Sequence, residues 1–235
     1  MKKVTISVFA LVTLAFQACH QEKTESNEIT KKIEEKAEVA VDSNKVIFEN
    51  LDHVLSPFED MTEFALEKDD AGIMKSLTKV EDANKEQLFS KHLTKESIAV
   101  LNDKLDELQG LIKQKDYEHI ALASTEIFEY NASNFMDSKK IETQIRIEHL
   151  DYMGFKVLAL LNQKKIDWQN IEQTISKVEK EWLALSPSVT DSNLKDSFEL
   201  LFSGLHLCAQ NKDTKMGEIL AAMDLSLVDV LENSF

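Results

Sequence analysis

From Asn44 to the end of the chain, apolar residues recur three and four positions apart with almost nothing to interrupt them. That spacing puts them on one face of a helix, and it constrains the fold more than any other feature. Ile47, Leu51, Val54, Phe58, Met61 and Ala65 form the first stripe. It keeps its phase through Ser56-Pro57, so Pro57 is expected to kink this segment rather than end it. Only 5 glycines and 2 prolines occur in 235 residues, too few for a turn-rich β protein. No Val/Ile/Thr run alternates with a period of two. Further helices are predicted at about 70–90, 95–114, 116–135, 138–165, 167–184, 191–211 and 213–233. Asp70, Thr94, Asp116, Asp167, Asp191 and Asp213 stand at their expected N-caps, where a side-chain oxygen can accept from a free amide. The expected fold class is all-α.

An internal offset refines that expectation. Lys79-Val80-Glu81 recurs as Lys177-Val178-Glu179, and Lys115-Asp116 recurs 97 residues later as Lys212-Asp213. Asp70 and Asp167 share the same offset, and apolar positions follow it, Leu101 with Phe198 and Leu108 with Leu205 among them. This predicts two related up-down four-helix units, residues 44–135 and 138–235, packed as a helical bundle. Helix-capping Lys-Asp pairs also recur by coincidence, and the first helix of each half aligns poorly.

Charge narrows the partners. The chain has 27 Lys+Arg against 42 Asp+Glu, a formal charge of −15, and a single arginine, Arg146. Such a surface repels phosphate, so no nucleic-acid partner is expected. At 43% hydrophobic residues the chain can bury a core.

The N-terminus reads as an export signal. Lys2 and Lys3 precede an apolar stretch from Val4 to Phe16, which is too short to span a bilayer. It ends in Leu14-Ala15-Phe16-Gln17-Ala18-Cys19, which resembles the lipobox of bacterial lipoproteins; Ala18 and Cys19 fit it well, Phe16 and Gln17 less so. The resemblance implies removal of residues 1–18, acylation of Cys19 and attachment to a membrane through that lipid. The body would then lie in the periplasm or at the cell surface, with an envelope protein as a possible partner. His20 after the cysteine, in place of Asp, favours the outer membrane if enteric sorting rules hold. Residues 19–43, rich in Glu, Lys, Ser, Thr and Asn, read as a flexible tether. With Cys19 acylated, Cys208 has no disulfide partner, and its phase with Leu201 and Leu205 marks a buried, inert thiol.

Signals for chemistry are sparse. Glu-x-x-His, His-Glu-x-x-His, Cys-x-x-Cys-His, glycine-rich phosphate loops and Gly-x-Ser-x-Gly are all absent, so neither an enzyme nor a cofactor is expected. A composite metal site would draw on His149, His206, His119 and Glu126, the candidates for a metal- or small-ligand-binding bundle. A lone histidine on an apolar face is more often a hydrogen-bonded core residue. His53 and His92 stand among charged neighbours and read as solvated. Glu142 and Arg146 can pair across one helical turn. Asp151 lies in the same polar segment and is expected with them in a structural or ligand ion pair. Gly154 costs its helix about 1 kcal/mol against alanine, which close packing or a ligand would justify. Asp224 interrupts an apolar helix and is expected to pair with Lys156 or Arg146. Trp168, Trp182, Met216 and Met223 read as core residues. The remaining carboxylates spread around the helices as a solvated face does. The expected role is a tethered, non-enzymatic binding or scaffold module.

Overall fold

Capping chemistry decides where this chain turns. A computed structural model describes residues 44–235; the signal segment, Cys19 and the tether lie outside the described residues. α1 covers 44–67 and continues through Pro57, whose missing N–H removes one helical bond without ending the helix. Its end and two later helix ends share one device. Lys68, Lys115 and Lys212 stand in the left-handed region, at φ of 60°, 54° and 56°. Each lysine amide returns to the carbonyl three residues back, and the next amide to the carbonyl five back, closing the groups a helix end leaves open. The aspartate that follows, Asp69, Asp116 or Asp213, then caps the next helix by accepting from an amide in its first turn.

Asp69, and not Asp70, is therefore the cap of α2. Asp70 accepts instead from Lys115 and from Tyr117 Oη across to the next turn. The Lys-Asp pair thus marks a helix–helix turn, and its third copy at Lys68-Asp69 falls outside the 97-residue offset. Thr94, Asp167 and Asp191 cap α4, α7 and α8 as expected.

The segment predicted as one helix over 70–90 is two, α2 (Asp70–Lys85) and α3 (Leu88–His92), because Gln87 adopts φ 62°. This break carries Leu88 and Phe89 into the core and lays His92 on Phe135, ring centroids 4.8 Å apart and nearly parallel. His92 is buried, not solvated, and its carbonyl accepts from the Met136 amide at 2.9 Å. α4 (Lys95–Gln114), α5 (Tyr117–Asn134), α6 (Glu142–Leu161), α7 (Trp168–Leu185), α8 (Ser192–Asn211) and α9 (Thr214–Glu232) follow. α6 is shorter than the predicted 138–165, with a separate 3-10 turn at Ser138–Lys140 before it.

α6, α7, α8 and α9 form a ring in which each packs on the next and α9 closes on α6. α5 lies on α6 and α4 on α5, so the boundary between the two halves is itself a packed interface. The apolar core runs without a break from Leu51 on α1 to Leu231 on α9, and Ile47–Phe235 is one compact unit. Trp182 stacks on Phe198 at 4.3 Å between centroids, and Trp168 packs against the core at the start of α7. Gly154 lets α6 and α9 approach closely: a Cβ there would lie 2.5 Å from Leu225 Cδ2 and 3.0 Å from Asp224 Oδ2. Met216 and Met223, expected in the core, are exposed. The buried line of α9 is Gly217, Ala221, Asp224, Val228 and Leu231, one position out of phase with them. Among the described residues there is no strand, and no helix is long and apolar enough to cross a membrane.

Candidate functional site

Three helical stripes converge on one pocket. α1 contributes Phe48, Asp52, Glu59, Asp60 and Glu63; α6 contributes Glu148, Asp151 and Phe155; α9 contributes Leu225, Asp229 and Glu232. They enclose about 400 Å³, within the usual small-molecule range of roughly 300–1,000 Å³. Eight of the eleven lining residues are carboxylates, and none is Lys, Arg or His. Asp60 is met at the edge by Lys79 of α2, at 2.5 Å. Among the described residues, the other seven carboxylates have neither an ion pair nor a side-chain hydrogen bond.

Glu148 is the decisive member. Only 6% of it is exposed, it lines the pocket, and none of the described residues donates to it. A buried charge without a partner is expensive, so its proton affinity must rise. Burial pushes the Glu148 carboxyl well above the ordinary range, and the charges of Glu59, Glu232 and Asp52 add to the shift. Glu59 is raised in the same way, by burial first and then by Asp151. Asp151 is raised by burial and then by Glu148 and Asp224. Burial and like charge therefore favour protons on several of these carboxyls, and a cation brought to the pocket would take their place.

Asp224 sits behind this wall, fully buried, with no hydrogen-bond partner on either oxygen. The expected pairing with Lys156 or Arg146 does not occur. Lys156 Nζ turns to Glu126 on α5 at 3.0 Å. Arg146 is held by Glu142 at 2.6 Å and by Glu181 of α7, so the predicted Glu142–Arg146 pair forms with a third member. Burial alone raises the Asp224 carboxyl well above the ordinary range, which favours a neutral acid that needs no cation. Asp151, the fourth residue expected in an ion pair, has none and lines the pocket instead.

The candidate metal ligands have separate partners. His119 is exposed, with Nδ1 2.9 Å from Asp116. His149 Nε2 lies 3.3 Å from Ser133 Oγ. His206 bridges Glu172 at 2.9 Å and Glu179 at 3.1 Å on α7. Among the described residues, no three His, Cys, Asp or Glu side chains are grouped to hold a metal ion. Cys208 is buried; its thiol donates to the Asp213 carbonyl at 2.9 Å, and burial raises its pKa.

The acidic pocket is not legible in the sequence because its carboxylates come from three segments separated by about 80 residues or more. One signal was present: Glu148 and Tyr152 continue the helical phase of Ile145, so Glu148 stood on a buried stripe. No protein-family model matches this chain. No curated protein and no solved structure matches it either. The chemistry of the pocket must therefore be argued from its own residues.

Proposed function

We propose that this chain is a lipid-anchored envelope protein whose helical body is a non-enzymatic binding module, and that the pocket between α1, α6 and α9 holds a cationic ligand. The lipobox-like segment ending at Cys19 supports the anchor, with the outer membrane favoured by His20. The observation that carries the ligand reading is Glu148, a buried carboxylate that faces the cavity with no partner among the described residues. A protein stabilises such a group by protonating it or by presenting it to a positive ligand, and seven uncompensated carboxylates focus an attractive field for the second outcome.

The test is thermal unfolding with and without added cations, on the native sequence and on a Glu148→Gln, Asp151→Asn double variant. A ligand that raises Tm only in the native sequence supports the reading, because binding to the folded state alone stabilises it. Equal shifts in both proteins would remove the pocket as the site.

A second reading, docking on an envelope protein, draws on exposed apolar residues of α8 and α9. Leu200 and Leu207 are 72% and 59% exposed, and Ile219 and Val230 are 62% and 55% exposed. All four stand on two helices that pack against each other, where apolar side chains that join into one patch would mark a protein contact. Crosslinking in the intact envelope checks this reading: loss of a crosslinked partner in a Leu207→Lys, Ile219→Lys variant is the expected result.

A further inference from the structure

We infer that the ligand of the acidic pocket is a linear organic polyamine, a chain of ammonium groups joined by short methylene runs, lying along the three helices. The inference rests on the reading of the pocket as a cation site and adds the shape of the cation.

Four observations separate this ligand from a metal ion. First, the carboxylates are strung out rather than gathered: Asp52 and Glu63 stand eleven positions apart on α1, a rise of roughly 16 Å along the helix. Second, no three of them are grouped as a metal-binding set. A hard cation such as calcium wants six to eight oxygens at roughly 2.3–2.6 Å; a single ion would serve a few carboxylates here and leave the others repelling one another. Third, Phe48, Phe155 and Leu225 line the pocket beside the acids. Apolar side chains are wasted on a hydrated ion, but they suit methylene groups, and a ring face attracts an ammonium. Fourth, a cavity of about 400 Å³ holds far more than one ion.

Glu148 gives the ligand its fixed point. A primary ammonium carries three N–H donors, and a buried carboxylate with no competing donor would accept from it in a charge-assisted bond. Asp151 lies on the same face of α6, one turn away, while Glu59 approaches from α1 and Glu232 from α9. The next ammonium of an extended chain would pass toward Asp229 and Glu63, which are exposed, as are Asp52 and Glu232. The ammonium groups of such a chain match the carboxylates, and its methylene runs match Phe48, Phe155 and Leu225.

The experiment is calorimetric titration of residues 20–235, which contain the whole compact unit from Ile47 to Phe235. Spermidine, putrescine, calcium chloride and magnesium chloride are titrated separately at low ionic strength, against the native sequence and the Glu148→Gln, Asp151→Asn variant. The expected result is one spermidine per chain, weaker binding of the shorter putrescine, and a loss of about tenfold or more in spermidine affinity in the variant. Should the double variant fail to fold by circular dichroism, Asp229→Asn at the exposed edge carries the same comparison. Calcium or magnesium binding more tightly than spermidine, and weakened by the same substitutions, would overturn the polyamine while leaving a cation pocket. No binding by any of the four, or binding indifferent to the substitutions, would overturn both.

Discussion

Burial and like charge oppose the charged forms of Glu148 and Asp151, and this makes their removal informative. Replacing them with Gln and Asn keeps shape and removes charge where burial and like charges already oppose it. The double variant is expected to unfold a few degrees higher than the native sequence near neutral pH, measured without ligand. The pH dependence follows from the same shifts. Glu59, Glu148 and Asp151 are raised in the folded state, so that state holds more protons than the unfolded chain from the ordinary carboxylate range up to the raised values. Their stabilising effect is complete below the ordinary range and is lost as pH rises. His206 acts in the same direction about the histidine range: burial lowers it, but hydrogen bonds to Glu179 and Glu172 outweigh burial and raise it. His92 and His149 are lowered by burial, so they oppose stability on acidification. The native sequence should gain more Tm between about pH 8 and pH 5.5 than the double variant does, and that difference isolates the carboxylates from the histidines.

Helix ends and helix contacts make their own predictions. Lys212 occupies a left-handed position that disfavours any side chain, and Lys212→Gly should raise the urea midpoint by about 0.5–1 kcal/mol of stability. At Gly154 the sign is reversed. Alanine would gain about 1 kcal/mol of helix propensity, but its Cβ would sit 2.5 Å from Leu225 Cδ2. Overpacking of this kind costs about 1–3 kcal/mol, so Gly154→Ala should be net destabilising, by up to about 2 kcal/mol in urea unfolding. Leu225 also lines the pocket, so the same substitution should weaken any ligand held there. The eight helices after α1 were legible at this scale except where Gln87 divides one of them. Nothing local demands a left-handed glutamine; burial of Leu88, Phe89 and His92 beyond it does.

For the molecule as a whole, the proposed anchor has a direct test: Cys19→Ser should release the protein from the membrane fraction, and retention would defeat the lipid. Acylation with more than one chain is what stable attachment requires, so the expected loss is near complete. The described body offers no alternative span, since none of its helices is long and apolar enough to cross a bilayer. Its two halves share one core and a packed α5–α6 interface, so the body should unfold in one transition rather than two. Coincidence of the circular dichroism and tryptophan fluorescence curves would check this.

The sequence by itself determined the helical class, most helix ends, the Glu142–Arg146 pair and the inert Cys208. All of these depend on residues within a turn or two of one another, where spacing and capping chemistry act directly. The tertiary structure decided which carboxylates matter. Asp52 and Asp229 read in the sequence like any solvated acid, and Asp224 reads as half of an ion pair. Whether such a group meets water, a lysine or other carboxylates depends on how α1, α6 and α9 pack, a long-range outcome set by the shared apolar core. Packing left Asp224 without a cation and enclosed Glu148 among charges of its own sign.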